Sequence, residues 1–268
     1  MRDHEESESP PALRELLSVA DRAARIGGDV LRAWAEKFTV SEKGPADLVT
    51  EADVASQVAI HDFIRARHPG HDFLGEEGLS LNDGGSGFRW IIDPLDGTSN
   101  YVHRFPYYAV SIGVEHRGEM VVGVVYDPTR DEMFAAVRGG GATLNGSPIR
   151  VSRFSPLNQA MVIASFPPGV RADSPAMLRF LKVLPHAQTI HRSGSAALNL
   201  AYIAAGRLDG YWSSSLKPWD MAAGIVLVRE AGGRITKTDG SPIDHHVMSL
   251  LATNGTAVHD ELTALLSD

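Results

Sequence analysis

Residues 90–106 read WIIDPLDGTSNYVHRFP, and this stretch decides how the rest of the chain is interpreted. Asp93 and Asp96 come directly after an apolar run that predicts a buried strand, with Pro94 between them. Gly97 and Thr98 follow at once, as a turn and a helix start would require. Carboxylates at a strand end beside glycine and proline are held by the backbone, so the stretch predicts a rigid, acidic, ligand-binding turn.

The composition limits the classes of protein to consider. The chain has 268 residues, of which 43% are hydrophobic, enough for one sizeable core or two fused ones. Its 33 acidic and 25 basic residues give a net charge of -8 without a basic run, so nucleic acid is not the expected partner. It contains no cysteine, which excludes disulfides and fits a reducing cytoplasm. It shows no membrane-length apolar run, and no membrane partner is expected.

The remaining pattern predicts a layered α+β fold. Residues 1–11, MRDHEESESPP, lack an apolar segment and are expected to form a flexible tail. Helical spacing covers residues 12–38 and 51–67, with SEKGPADLVT between them interpreted as a loop. Strands in an antiparallel meander follow to about residue 150, and strands alternate with helices from about 151. We therefore expect one domain over residues 12–268, with an N-terminal α+β part and a C-terminal α/β part.

Acidic residues recur where apolar segments end. They are Asp53 in VTEAD, Glu76 and Glu77 in FLGEEG, Asp93 and Asp96 in IIDPLDGT, and Asp220 in KPWDMAAG. Carboxylates that converge on one point repel one another and stay ionised together only with cations between them. An all-oxygen set of ligands favours Mg²⁺ or Mn²⁺, with Ca²⁺ less suited.

Each of these acids also has a simpler interpretation. A single aspartate after a strand, such as Asp93 or Asp220, is more often a turn former or a helix N-cap. The Glu76–Glu77 pair alone would be a solvated pair, and Asp53 alone would only favour the positive end of a helix. The combination of D-P-x-D-G-T, an earlier G-E-E and a later W-D in one chain favours a metal site.

These segments resemble the inositol monophosphatase family of Mg²⁺-dependent, Li⁺-sensitive phosphatases. The matching stretches are DLVTEAD, FLGEEG, WIIDPLDGTSNYVHRFP, GVVYDP and KPWDMAAG, in that order. The resemblance implies a five-layered αβαβα sandwich of the type shared with fructose-1,6-bisphosphatase, usually as a homodimer. It also implies a small phosphorylated substrate and two or three Mg²⁺ ions, with Mn²⁺ as a substitute.

The resemblance assigns roles to individual positions. Glu76, Asp93 and the Leu95 carbonyl match ligands of a first metal. Asp93, Asp96 and Asp220 match ligands of a second, and Glu76 would also hold a third ion through water. Thr98 and Asp53 match the pair that orients and deprotonates the attacking water, with Glu77 as support around the metals. Lys43 near Asp47 is either a surface charge or a further support of this loop.

The substrate side combines a match with a departure. Backbone N–H groups at Gly97 and Thr98 would cradle phosphate at a helix start. Gly194, Ser195 and Ala196 in RSGSAALN match the family's substrate segment, although a serine here is equally expected as a helix N-cap. Ser213 in GYWSSSLKPWD stands where the inositol enzymes usually have glutamate, which weakens the expectation of tight inositol recognition.

The main hypothesis is Mg²⁺-dependent hydrolysis of a small phosphomonoester by an activated water, with inositol-1-phosphate as the first candidate. Histidinol phosphate, sugar phosphates or bisphosphates, and 3′-phosphonucleotides are alternatives within the same superfamily. A different class of hypothesis is a regulatory binding protein that retains the fold, for instance one that contacts the transcription machinery.

Overall fold

The computed structural model describes residues 10–44, 47–81 and 85–267; the side chains at 10, 11, 42–44, 47 and 48 lie outside that description. The predicted tail falls largely on residues 1–9, which are not described, and the first helix begins at Pro10, two residues earlier than expected. The helices are α1 Pro10–Trp34, α2 Glu51–Arg65, α3 Thr98–Val102, α4 Pro175–Val183, α5 Ala196–Ala204, α6 Pro218–Glu230 and α7 Ala257–Leu266.

The strands form one two-stranded, one eight-stranded and one five-stranded sheet. The two-stranded sheet pairs β1 Val40–Gly44 with β2 Asp47–Thr50. The strands of the eight-stranded sheet are β3 Asp72–Gly75, β4 Ser80–Leu81, β5 Phe88–Asp96, β6 Ala109–His116, β7 Glu119–Asp127, β8 Glu132–Val137, β9 Gly141–Leu144 and β10 Ser147–Ile149. The strands of the five-stranded sheet are β11 Met161–Ala164, β12 Thr189–His191, β13 Gly210–Ser213, β14 Arg234–Thr236 and β15 Leu250–Thr253.

Three apolar clusters bind five layers together. The first cluster lies between α1, α2 and the eight-stranded sheet, and includes Leu31, Ile60 and Ile92. The second lies between the two large sheets around α5 and α6. The third packs α4 and α7 on the outer face of the five-stranded sheet. The layer order is therefore α, β, α, β, α, and the predicted αβαβα sandwich is confirmed.

The eight-stranded sheet has the order β10-β9-β8-β7-β6-β5-β3-β4. The meander from β6 to β10 is antiparallel, as the tight turns predicted, and Asn145 and Gly146 both have positive φ in the last hairpin. Among the described strands of this sheet, β3 and β5 are the one parallel pair. This arrangement brings the GEE segment after β3 to the same sheet edge as the end of β5.

Two parts of the sequence interpretation were wrong. The segment SEKGPADLVT is a β-hairpin and not a loop, with Val40 paired to Thr50 and Ser41 to Val49. Its strands are too short and too polar to produce an apolar alternation. The short strands β12 and β14, at the edges of the five-stranded sheet, were also missed, since three residues carry no periodic signal.

The second helix begins where the sequence predicted. Thr50 is its N-cap, and the reciprocal bonds of Thr50 and Asp53 form a capping box. Farther along the chain, Gly232 follows the C-cap of α6 and has a φ of 87°, as expected for a C′ glycine. Among residues 10–44, 47–81 and 85–267, no helix has the length and apolar character that crossing a bilayer demands.

Candidate active site

Asp93 and Asp96 lie on either side of a β-bulge in β5. Asp93 pairs with Ser111 of β6 and Asp96 with Ala109, so three steps on β5 oppose two steps on β6. In a regular strand residues i and i+3 point to opposite faces, and the extra residue of a bulge removes that alternation. Pro94 lies within this irregular segment of an internal strand, where a missing N–H does not interrupt a ladder.

Asp220 comes to the same place from α6. It is the third residue of the helix, and its carboxylate accepts a hydrogen bond from the Lys217 N–H at 2.6 Å. The helix lies so close to the eight-stranded sheet that a Cβ on Gly123 would meet the Ala223 carbonyl oxygen at 2.2 Å. Carboxylate oxygens of Asp93, Asp96 and Asp220 consequently lie within 4.8 Å of one another.

All three carboxylates have raised pKa values. Burial is the largest cause of the raised Asp93 pKa, followed by the charges of Glu76, Asp96 and Asp220. Burial also raises the pKa of Asp220, with Asp96 as the next cause. The pKa of Asp96 rises to about 6 through burial, although hydrogen bonds from Ser195 and nearby backbone oppose the rise. The cluster stores repulsion that a cation would relieve.

The donor set fits Mg²⁺. It consists of carboxylate oxygens, without cysteine anywhere in the chain. Glu76 does not belong to the group of carboxylates whose oxygens lie within 4.8 Å of one another. Its charge nevertheless contributes to the raised pKa values of Asp93 and Asp220. The Leu95 carbonyl accepts from the Thr98 hydroxyl at 3.2 Å, so it also faces this turn.

Thr98 and Asp53 are in contact, although 45 positions separate them. The Thr98 hydroxyl lies 3.2 Å from Asp53 Oδ1 and 3.2 Å from the Leu95 carbonyl oxygen. Asp53 is fully buried, and its other oxygen accepts from the Thr50 N–H at 2.8 Å and the Thr50 hydroxyl at 2.6 Å. Burial raises the Asp53 pKa, which increases its capacity to accept a proton.

One polar face of α2 supports the loops that carry the predicted metal ligands, and sequence reasoning missed it. The Ser56 hydroxyl donates to the Pro94 carbonyl at 3.1 Å. The Gln57 side chain accepts from the Glu77 N–H at 3.0 Å and donates to the Glu77 carbonyl at 3.1 Å. Together with Asp53 these residues have the i, i+3, i+4 spacing of one helix face. Buried polar residues at that spacing were the available signal.

The GSA segment contacts Asp96. The Ser195 hydroxyl donates to Asp96 Oδ2 at 2.5 Å, and the Ala196 and Ala197 N–H groups donate to the same carboxylate. Ser195 is also the N-cap of α5, accepting from Leu198 N–H, as the simpler interpretation expected. Gly194 has a φ of 90° and packs against the Asn100 amide, with 3.0 Å between the side-chain nitrogen and an added Cβ. In the structure Ser195 therefore holds one of the three clustered carboxylates.

The other predicted supporting residues are placed less closely. Glu77 is half-buried, and its charge contributes to the raised Asp53 pKa. Lys43 and Asp47 lie in the β1–β2 hairpin, but their side chains are outside the described part of the chain. Ser213 is fully buried at the end of β13, with its hydroxyl 3.3 Å from the Ser215 hydroxyl.

Comparisons with known proteins cover nearly the whole chain. A model described as the inositol monophosphatase family matches residues 12–268. The "Inositol-1-monophosphatase" of Synechocystis sp. is 42% identical over 262 residues, covering 97% of this chain and 91% of that protein. The "Nus factor SuhB" of Escherichia coli K12 is 41% identical over 232 residues, covering 85% of this chain and 87% of that protein. The crystal structure of extragenic suppressor protein suhB from Bartonella henselae superposes with a TM-score of 0.90 at 37% identity, covering 95% of this chain and 99% of that one.

Proposed function

The chain belongs to the inositol monophosphatase family, and from that premise we propose that it hydrolyses a small phosphomonoester with the help of Mg²⁺. The observation that carries the proposal is the convergence of Asp93, Asp96 and Asp220 within 4.8 Å, beside the contact between Thr98 and Asp53. A phosphoric monoester hydrolase requires both parts, since the reaction needs charge neutralisation and a proton acceptor.

Asp93, Asp96 and Asp220 would hold the metal ions, with Glu76 and the Leu95 carbonyl as further ligands. When bound, Mg²⁺ ions neutralise the phosphate charge and lower the pKa of the attacking water. Two or three ions fit the proposal, and Mn²⁺ would be a substitute. Ser56, Gln57 and Ser195 keep the ligands in place through the hydrogen bonds described above.

Thr98 would orient the attacking water and Asp53 would receive its proton. When the Thr98 hydroxyl donates to Asp53, its lone pairs remain available to accept a hydrogen bond from a water. That water would then direct its own lone pair at the phosphorus atom. The proton passes from water to the Thr98 oxygen as the Thr98 proton moves to Asp53. The Gly97 and Thr98 backbone, at the start of α3, would bind a phosphate oxygen.

The substrate proposed first is inositol-1-phosphate, because a relative with 42% identity is named an inositol-1-monophosphatase. Gly194 and Ala196 would contact the substrate beside Ser195. Ser213 is buried and carries no charge, so this position offers no carboxylate to sugar hydroxyls. We therefore propose a broader range of substrates, with sugar phosphates, histidinol phosphate and 3′-phosphonucleotides as the alternatives.

Phosphate release from a panel of these compounds, with and without Mg²⁺, tests the proposal. Wild-type protein should release phosphate only with Mg²⁺ or Mn²⁺, and millimolar Li⁺ should inhibit the reaction. Asp93→Asn should lower kcat by about a thousandfold or more, since the proposed metal site loses a negatively charged ligand. Equal release by wild type and Asp93→Asn over the whole panel would refute a hydrolytic function.

We propose a cytoplasmic homodimer. The family resemblance supports the dimer, and so does the exposed apolar face of α4 and its C-cap. Leu178, Leu181 and Leu184 are each 48–51% exposed at three-residue spacing. Light scattering should give twice the chain mass, and Leu181→Glu should give the mass of a single chain.

A second, non-catalytic function is favoured by one observation, the 41% identity to a protein named a Nus factor. The two functions separate in cells in which Asp93→Asn replaces the wild-type chain. If Asp93→Asn rescues a phenotype caused by deletion of the gene, that phenotype does not depend on hydrolysis. If the variant fails to rescue it, the phenotype depends on the enzymatic activity.

A further inference from the structure

A second group of potential metal ligands lies away from the catalytic carboxylates. Glu115, His245 and His246 each offer one ligand atom, and these atoms lie within 4.8 Å of one another. Glu115 is four residues along β6 from Ser111, the partner of Asp93, which corresponds to roughly 13 Å of extended strand. The group is therefore separate from the site of hydrolysis.

Two of the three side chains are already in contact. His245 Nε2 lies 3.0 Å from Glu115 Oε2, and both residues are more than nine-tenths buried. The other Glu115 oxygen accepts from the Gly118 N–H at 3.2 Å. Two ligand atoms on one tetrahedral ion with bonds near 2.1 Å lie about 3.4 Å apart. The hydrogen-bonded pair therefore has to open by only about 0.4 Å to hold an ion.

A turn in the chain brings His246 alongside. The Asp244 carboxylate accepts from the His246 N–H at 2.9 Å, and the Asp244 carbonyl accepts from the Val247 N–H at 3.0 Å. The His245 and His246 rings consequently lie with centroids 4.2 Å apart. His246 is exposed, and one of its ring nitrogens already lies within 4.8 Å of the other two ligand atoms.

A cavity adjoins the cluster and leaves room for a further ligand. It has a volume of about 340 Å³, and its wall includes His245, the apolar side chains of Ile225 and Ile243, and the charged side chains of Arg138 and Arg229. Arg89 lies across from Glu115 on β5, where its guanidinium is 3.8 Å from Asp72. Water or a small anion in the cavity could complete the coordination of an ion held by three protein ligands.

We propose that Glu115, His245 and His246 form a binding site for a divalent transition-metal ion such as Zn²⁺. Imidazole ligands select Zn²⁺, Co²⁺ or Ni²⁺ over Mg²⁺, so this site and the carboxylate cluster take different ions from the same solution. Binding replaces the proton between His245 and Glu115. The bound ion fixes the loop after β14 to the end of β6.

Equilibrium dialysis of the full chain against Zn²⁺, with 10 mM Mg²⁺ present to occupy the carboxylates, tests this proposal. Wild-type protein should bind one equivalent of Zn²⁺. His246→Ala and Glu115→Gln should each weaken binding by at least tenfold, while His186→Ala, at another exposed histidine, should bind as wild type does. Zn²⁺ binding that is equal in wild type and His246→Ala would overturn the proposal.

Two controls keep the result interpretable. Mg²⁺-dependent phosphatase activity and circular dichroism of each variant should match wild type, since the cluster takes no part in hydrolysis. The Asp93→Asn chain should retain its equivalent of Zn²⁺; loss of Zn²⁺ from this variant would place the ion at the carboxylates and also overturn the proposal. The Zn²⁺ measurements themselves do not depend on whether the chain is a phosphatase.

Discussion

At the scale of single residues, the site depends on hydroxyl groups that connect carboxylates to the backbone. Thr98 joins Asp53 to the β5 turn, and Ser195 joins Asp96 to the start of α5. The Ser195 hydroxyl donates to Asp96 and accepts from the Leu198 N–H, whereas the Thr98 hydroxyl has one proton to share between two acceptors, Asp53 and the Leu95 carbonyl. The substitutions that test them are small and leave the surrounding packing nearly unchanged.

Thr98→Ala should lower kcat by about 10² to 10⁴, because it removes the group that would pass the water proton to Asp53 in the proposed mechanism. The KM for substrate should change little, since the Thr98 backbone remains. Thr98→Ser, which keeps the hydroxyl, should recover most of the rate. The measurement is steady-state phosphate release at saturating Mg²⁺, and equal loss in the serine and alanine variants would contradict the proton-transfer role.

Ser195→Ala should raise the Mg²⁺ concentration needed for half-maximal rate severalfold, because Asp96 loses its hydroxyl donor. It should also lower the free energy of unfolding by about 1 kcal/mol through loss of the α5 N-cap. Ser195→Thr should preserve both properties. A raised KM for substrate with an unchanged Mg²⁺ dependence would instead make Ser195 a substrate contact, as the sequence resemblance implied.

At the scale of elements, α2 does more than cover the sheet. One face carries Asp53, Ser56 and Gln57 into the site, while Val54 and Val58 on the other side are exposed. Gly75 permits this arrangement, because a Cβ there would come within 2.4 Å of the Gln57 side-chain oxygen. The helix thereby fixes the loop after β3 relative to the turn after β5.

Gln57→Leu should raise the Mg²⁺ concentration for half-maximal rate by about tenfold, because the Glu77 backbone loses both of its amide partners. The free energy of unfolding should fall by about 1–3 kcal/mol, the cost of leaving buried polar groups unsatisfied. Val58→Ala, on the exposed face of the same helix, is the matched control and should change neither quantity measurably. Unaltered Mg²⁺ dependence in Gln57→Leu would show that α2 does not position the GEE loop.

The sequence predicted the elements that carry strong local signals, and missed those that depend on pairing. The D-P-x-D-G-T turn, the helix that begins at residue 51 and the antiparallel meander follow from the chemistry of their own residues. The β1–β2 hairpin and the edge strands have no such signal, because their stability comes from neighbours distant in sequence. The contact of Ser195 with Asp96 joins residues 99 positions apart, which spacing alone could not show.

At the scale of the whole molecule, a stack of rings spans β5 and β6 on the eight-stranded sheet. His71 stacks on His68 and Phe88 with centroids 4.6 and 4.9 Å away, and Phe88 stacks on His116. The Trp90 indole N–H donates to His71 Nδ1 at 3.0 Å, which requires that nitrogen to be unprotonated. Burial, followed by the nearby His68, lowers the pKa of His71 to about 4.

This lowered pKa predicts a loss of stability in acid. The unfolded chain binds a proton at His71 near pH 6.5, whereas the folded chain does so only near pH 4, so the free energy of unfolding should fall as the pH drops between these values. The contribution should be on the order of 2 kcal/mol. Urea unfolding at pH 7.5 and pH 4.5 should show a smaller decrease in His71→Gln than in wild type or His186→Ala. An equal decrease in all three proteins would exclude His71 as the cause.

The five layers divide the proposed site between the two large sheets. The clustered aspartates belong to the eight-stranded sheet and the middle helices, and β13, which ends in Ser213, belongs to the other sheet. Under the proposed function, a substitution at Ser213 would thus change substrate recognition without replacing a metal ligand. A lineage built on this scaffold could retain its chemistry through many generations while it exchanges one metabolite for another, and a protein engineer could follow the same route by redesigning that strand alone.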